Sequence, residues 1–396
     1  MSVKNKLKKN IILNYIYKGI LSFDFTATLW VVYMYSKGIS LGKIGLAEAV
    51  YHITGMFMQI PTGIIADRLG RKISRVMGAV LYFVDALLML YAQSFLDFCI
   101  VFIISSLAGC MESGAGDALV YESIIKLEAE NSYKKIAGRI VLIMNASEAI
   151  SMLLGGILAQ RRIIMAYTLA AGVKSSLVIV SLLFTEPDKY KNKNRNESFK
   201  RHLVKSMGAV YRNKSILHFI LLNSILEMVM FIIMFYGRKY FTDTGMGYQA
   251  SGILYTIYLV LGAAGGYYAY KICSFLSLKT TMLMLSILST AGFLGFSAGV
   301  HAFAVISFLL IGICAGLLFP VSSDYINSRI PTEYRAAILS AGSAVFSILM
   351  VSFFPVIGII ADKTGLIPAF RIIAIPCIII ITVECYLICR SLGIKK

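Results

Sequence analysis

Apolar residues run in twelve stretches of about 20 residues or more, the length an α-helix needs to cross a hydrocarbon core. Their approximate bounds are 11–35, 42–66, 74–92, 97–122, 137–160, 163–184, 215–240, 249–270, 279–298, 302–327, 336–361 and 367–390. A backbone in hydrocarbon must satisfy its own N–H and C=O groups, and segments of this length do so as helices. Composition agrees, with 58% hydrophobic residues, 15% charged residues and a mean hydropathy of +0.78. The expected fold is therefore an all-α membrane protein with twelve transmembrane helices. One long polar segment, 185–214, separates the spans into two six-helix bundles, 1–184 and 215–396.

The formal charge of +18 is explained by where the charges lie. Basic residues collect on the cytoplasmic side of membrane spans. With Lys4, Lys6, Lys8 and Lys9 inside, most lysines and arginines fall on that side, nine of them in 185–214. Both termini are then expected to be cytoplasmic, in a multi-pass protein of the cell (plasma or inner) membrane, and no nucleic acid partner is called for. The first apolar run is too long for a secretory signal and is read as the first span. Within the linker, Phe199, Leu203, Met207 and Val210 recur at helical spacing beside Lys200, Arg201 and Lys205, the pattern of a short helix on the inner leaflet.

A pattern Gly-x-x-Ala-x-Lys/Arg closes four of the spans: GIIADR (63–68), GILAQR (156–161), GYYAYK (266–271) and GIIADK (358–363). The two steps within halves agree to one residue, and the step between halves is longer by the linker. The chain thus reads as four three-helix units. Because three is odd, successive units enter the membrane from opposite sides, and such inverted repeats build transporters whose bundles rock about a central site. Gly156, Gly266, Gly358 and the neighbouring Asp362 mark positions where small side chains let helix backbones approach. Only the first copy continues into a basic tail, Gly70, Arg71, Lys72 and Arg75; Arg75 reads mainly as a topological charge.

GIIADRLGRK resembles the signature loop of the major facilitator superfamily, G-x-x-x-D-R-x-G-R-K/R, with Gly63, Asp67, Arg68, Gly70, Arg71 and Lys72 all in place. The resemblance implies that this loop is a cytoplasmic gating latch: Asp67 as acidic centre, Arg71 and Lys72 as its partners, Gly63 and Gly70 as turn and close-packing positions. Arg329 and Arg335 are candidate partners in the second half, and Asp362 with Lys363 a smaller counterpart on the outer side. The chain also resembles bacterial multidrug-type permeases of that family, with two departures. Span four has Glu112, Asp117 and Glu122 where those permeases carry an arginine, and span five keeps only Gly155 and Gly156 of a longer glycine-proline motif.

Ionisable groups within spans are costly and mark function. Counting 39 residues back from the motif glycine of each unit reaches Asp24, Asp117, Glu227 and Phe319, three acids of four. The family resemblance places the first helix of each unit against the cavity, so Asp24, Glu112, Asp117 and Glu227 are expected to face water and substrate, with at least one of them coupling transport to protons; the alternative is a structural role, paired with Lys18, Arg139 or one another. Lys174 and Asp85, on helices that the resemblance makes peripheral, read as a structural pair or as snorkelling groups. The aromatic residues of span one and Tyr255, Tyr258, Tyr267, Tyr268 and Tyr270 read mostly as packing or interface anchors, while aromatic walls with a few acids would also suit bulky lipophilic solutes.

The expected function is secondary transport by alternating access, with proton-coupled export of small amphipathic compounds as the preferred reading and proton-coupled uptake of a nutrient or metabolite as the alternative. The partners are a small-molecule substrate, protons and the bilayer, with a monomer expected. No enzyme activity, cofactor or metal is anticipated, because the four histidines are scattered and the seven cysteines form no CxxC pair.

Overall fold

A computed structural model describes residues 3–129, 132–187, 214–329 and 332–393. The amphipathic segment expected at 199–210 lies outside the described residues. Among those described there are thirteen α-helices: α1 (Val3–Ser22), α2 (Trp30–Ser36), α3 (Leu41–Leu69), α4 (Arg71–Tyr91), α5 (Phe95–Lys126), α6 (Tyr133–Arg161), α7 (Ile163–Leu182), α8 (Lys214–Asp243), α9 (Tyr248–Phe275), α10 (Leu278–Ser297), α11 (His301–Arg329), α12 (Thr332–Thr364) and α13 (Leu366–Gly393). Ten of them are long and apolar enough to cross a membrane. The two remaining long helices carry polar load: α1 holds five lysines, and α3 holds Glu48, His52, Gln59 and Thr62.

The single helix expected over 11–35 is broken. Helix α1 ends at Ser22 and α2 starts at Trp30. The Asp24 carboxylate accepts from the Thr26 backbone N–H at 2.8 Å and from its hydroxyl at 2.6 Å. Short polar side chains that bind nearby backbone in this way compete with helical hydrogen bonding.

Other boundaries follow local chemistry. Gly70, at φ 109°, turns α3 into α4 in a conformation that L side chains rarely adopt. Ser94 and Asp97 form a reciprocal capping box at the start of α5. The Ser277 hydroxyl accepts from the Thr280 N–H to open α10.

The chain groups into two compact units, neither of them one continuous stretch. Unit 1 holds the chain to Ile39, Ala47 to the end of α7, and Gly247–Thr256. There α4 packs on α5 and α7, while α1 packs on α5, α6 and α7. Leu13, Tyr17, Leu119, Ile124, Leu177 and Phe184 form its core.

Unit 2 holds Ser40–Leu46, α8 with its following turn, and the chain from Ile257 onwards. Helix α8 is its axis and packs on α10, α11, α12 and α13. An aromatic layer surrounds the end of α8, with Tyr236 stacked on Phe354 at 4.4 Å and Tyr240 against Phe296 at 5.0 Å.

Candidate transport site

In unit 1 three ion-pair clusters answer most of the acids singled out in the sequence. The first is centred on Glu112, in the middle of α5. Lys18 Nζ from α1 lies 3.1 Å from Glu112 and 3.5 Å from Asp117, while Arg75 Nη2 from α4 lies 3.0 Å from Glu112 and 2.7 Å from Asn14 Oδ1. The Arg75 guanidinium is fully buried, 4.0 Å from the Tyr17 ring and 4.5 Å from that of Phe184. Arg75 is therefore a core residue, contrary to its reading as a topological charge: its place in the second turn of α4 points it into the bundle. Glu112 is buried between two cations and does not stand open to solvent, whereas the Asp117 side chain remains 74% exposed.

The second cluster lies at the break between α1 and α2. Lys174 Nζ from α7 is 3.1 Å from Asp24, and it donates to the Leu21 carbonyl at 3.4 Å. Lys174, expected as a structural pair with Asp85 or as a snorkelling group, thus finds its ion-pair partner in Asp24. The break frees the end of α1 to meet the lysine, a juxtaposition that a continuous helix would not provide.

The third cluster is the signature loop. Arg71 Nη1 is 2.9 Å from Asp67, one helical turn earlier, and Arg71 Nε is 3.3 Å from Glu122 of α5. Glu186, just past α7, accepts from the first two amides of α4, Arg71 N at 2.8 Å and Lys72 N at 2.6 Å. Its carboxylate sits 3.0 Å from where a Cβ on Gly70 would be. Arg68 is exposed. Among the described residues, a Cβ on Gly63 would meet nothing within 4 Å, so none of them supplies the close packing expected there. Sequence reasoning left Glu122 and Glu186 out of this cluster; the only signal for either was an acid at the end of a span.

Unit 2 contains a cavity of about 430 Å³, bordered by α8, α11 and α12. Glu227 and Phe319, which occupy the same repeat position in their respective units, both line it. Phe219, Phe231, Phe346, Tyr258, Met230 and Met234 supply aromatic and thioether surface, and Ser322 donates to Asn223 within the same wall. Among the described residues no hydrogen bond or ion pair reaches Glu227. The cavity falls in the size range of small-molecule sites, which are mostly apolar with a few placed polar groups.

Elsewhere in unit 2, His218 Nδ1 of α8 is 2.8 Å from Glu384 of α13, and Lys239 pairs with Asp243. No cluster of three or more His, Cys, Asp or Glu side chains suited to a metal ion occurs among the described residues.

The remaining repeat positions sit at close helix contacts. A Cβ on Gly156 would meet the Tyr248 carbonyl at 2.7 Å and the Gly252 Cα at 2.9 Å; one on Gly266 would meet the Gly316 carbonyl at 3.3 Å. Gly358 presses on the Leu41 carbonyl at the start of α3. Asp362 does not pair with Lys363 but accepts from Leu41 N at 2.7 Å and Gly42 N at 2.9 Å, because a helix start offers it free amides. The side chain of Arg329 lies outside the described residues.

Long apolar helices, buried ion pairs within them and glycine-mediated contacts define a polytopic membrane protein of the transporter class. The sequence profile of the Major Facilitator Superfamily matches residues 13–345 and 239–390, and the chain belongs to that superfamily. The MFS-type transporter YxaM of Bacillus subtilis (strain 168) is 21% identical over 373 residues, 90% of each chain. Among solved structures, the nucleoside transporter NupG aligns with a TM-score of 0.79 at 17% identity over 100% of both chains. A D-xylose–proton symporter aligns at 0.71 and 12% identity over 97% of each. At these identities the structures speak to the fold.

Proposed function

We propose that this protein is a secondary active transporter of the cell membrane that works by alternating access and exports small amphipathic compounds carrying a cationic group, in exchange for protons. The observation that carries this reading is Glu227, a lone carboxylate in an aromatic and methionine-lined cavity. Asp24, Glu112 and Asp117 each have a lysine or arginine beside them; Glu227 has none among the described residues. A carboxylate with no counter-charge in a low-dielectric cavity must take a proton or a cation. A cargo cation and a proton that compete for one carboxylate are thereby exchanged, and the aromatic faces favour the cation's lipophilic body.

The topology assigned to this transporter is twelve spans, with residues 1–184 and 215–396 as six-helix bundles, 185–214 as a cytoplasmic basic linker and both termini in the cytoplasm. Asp67, Arg71 and Glu122, with Glu186 on the amides of α4, act as the latch on that side, and Gly70 makes its turn. The transporter acts as a monomer.

A second reading is proton-coupled uptake of a hydroxylated nutrient. The Asn223–Ser322 pair in the cavity wall favours it, since such groups bind hydroxyl-bearing solutes, and two proteins of like fold are a nucleoside transporter and a D-xylose–proton symporter.

Purified protein in proteoliposomes containing a trapped pH dye separates the two. Export by exchange is supported when lipophilic monovalent cations dissipate an imposed pH gradient and Glu227→Gln abolishes the response. Gradient-driven accumulation of a labelled nucleoside or pentose, with no response to the cations, overturns it in favour of uptake.

A further inference from the structure

Helices α10 and α13 pack against each other within unit 2, the start of one beside the end of the other. Their contact varies along its length. At the end of α10, Arg371 ties the pair together: its Nε donates to the Ser297 carbonyl at 2.6 Å and its Nη2 to that of Ala298 at 3.5 Å. Towards the start of α10 the two helices border a groove of about 570 Å³. Small side chains at helical spacing leave the space, with Ser286, Thr290 and Ala291 on α10 and Thr382, Cys385 and Cys389 on α13. Leu283, Ile287 and Leu294 of the same wall are exposed, so the groove opens on the surface of the unit. Both helices are long and apolar enough to span a membrane, and an apolar surface at that depth meets hydrocarbon.

An open apolar groove in a bilayer takes an acyl chain, and the polar groups at its ends decide which lipid that chain belongs to. The two ends differ. Arg371 is engaged by backbone carbonyls at one. At the other stand Lys279, in the first turn of α10, and Arg390, in the last turn of α13, both exposed and without an ion pair among the described residues. The Lys279 ammonium is within electrostatic reach of the Cys389 thiol, which lines the groove at this end, and Arg390 follows Cys389 in the chain. Tyr386, on the groove wall one turn before Arg390, is exposed as well. Tyrosine is an amphipathic ring that suits the level where headgroups meet hydrocarbon.

Two cations, then a phenol, then aliphatic walls repeat the order of phosphate, ester and acyl chain in a phospholipid. The length agrees. From Lys279 to Leu294 α10 rises about 22 Å at 1.5 Å per residue, and one leaflet with its headgroup layer is about 20–22 Å thick.

We propose that the groove between α10 and α13 binds one anionic glycerophospholipid. Lys279 and Arg390 hold its phosphate, Tyr386 meets its ester region, and one acyl chain lies along the groove, where it splints the two helices at the end that Arg371 does not reach. Basic residues at a membrane surface favour anionic over zwitterionic lipid, because a zwitterion carries its own counter-charge. The site requires only that α10 and α13 span a bilayer, and it is independent of cargo, coupling ion and direction of transport.

The native cysteines report its occupancy. Full-length protein is placed in nanodiscs of phosphatidylcholine alone or mixed with phosphatidylglycerol, and N-ethylmaleimide modification of Cys389 is followed by peptide mass spectrometry. Cys99, half-buried in unit 1, is the internal reference. Phosphatidylglycerol slows modification of Cys389 by about tenfold, the weight of two basic residues at a lipid surface, and leaves Cys99 unchanged. Lys279→Gln with Arg390→Gln removes the protection. Lys271→Gln with Lys363→Gln, which takes the same charge from exposed positions elsewhere in unit 2, keeps it. Native mass spectrometry of the detergent-released protein finds one retained phosphatidylglycerol on the parent and on the Lys271 and Lys363 variant, and about tenfold less on the Lys279 and Arg390 variant.

Equal modification of Cys389 in the two lipids, or protection that survives Lys279→Gln with Arg390→Gln, would overturn the site. Protection lost equally on removing Lys271 and Lys363 would also overturn it, reducing the effect to diffuse surface charge. Protection of Cys389 by glycerol phosphate in phosphatidylcholine discs would overturn the acyl-chain assignment, since a free phosphate would then suffice. An unchanged Cys99 rate shows that each variant keeps its fold, and none of these outcomes bears on the transport reading.

Discussion

Arg75 shows most sharply what a buried charge asks of its neighbours. It enters the core with one carboxylate, one amide oxygen and two aromatic faces around it, and its Nε and Nη1 find no hydrogen-bond partner among the described residues. Breaking a buried ion pair from one side costs about 3–5 kcal/mol, because the remaining charge stays desolvated. Arg75→Met is therefore expected to lower the melting temperature of the purified protein strongly, and Arg75→Met with Glu112→Gln to recover part of the loss. Glu227 differs in kind, since no partner among the described residues depends on it: Glu227→Gln should leave the melting temperature nearly unchanged while removing the pH-gradient response to lipophilic cations. The acids at 24, 112, 117 and 227 were all legible in the sequence as costly groups in apolar spans. Of their partners only Lys18 was a candidate; Arg75 and Lys174 were not, because they approach from other helices, and no local pattern tells an inward-facing arginine from a topological one.

At the scale of elements, turns were read more securely than helix interiors. The Gly70 turn was placed by the signature loop, and its positive φ and the Glu186 carboxylate pressed against it give the physical reason. Gly70→Ala should cost about 1–3 kcal/mol in strain, read as a drop in melting temperature. The same substitution should also speed amide exchange at Arg71 and Lys72 as Glu186 is pushed off the start of α4. The break between α1 and α2 was missed because residues 11–35 are apolar throughout, and hydropathy does not register an aspartate that folds back on Thr26. Replacing Asp24 by Ala removes that turn and leaves Lys174 without its carboxylate. Lower melting temperature, with altered amide exchange confined to 21–29 and α7, is the expected outcome.

For the whole molecule, the fourfold Gly-x-x-Ala-x-Lys/Arg repeat is the organising feature of the sequence. Its small residues recur where helices meet backbone to backbone, yet among the described residues Gly63 meets nothing within 4 Å while Gly156 and Gly358 are tightly covered. Equivalence in sequence therefore does not carry equal contacts. The proposed topology predicts that epitope tags at both termini are protected from protease in intact cells and cut in everted vesicles. A tag in the turn after Tyr91 should behave oppositely. The reverse result for either terminus would refute the twelve-span arrangement with both ends inside.

The sequence by itself determined a helical membrane protein, the repeat that orders it, the signature of its superfamily and the list of acids that hydrocarbon makes expensive. These follow from length, hydropathy and short motifs, all of which are local. Only the tertiary structure decided that Lys18 and Arg75 share Glu112, that Lys174 answers Asp24, that Glu227 lines a cavity with no partner among the described residues, and that Asp362 and Gln160 cap helices far away in the chain. The physical reason is that spans apolar on every side carry little amphipathic signal of which face turns inward. Rotation and pairing of such helices are set by packing, glycine contacts and buried charges from distant segments.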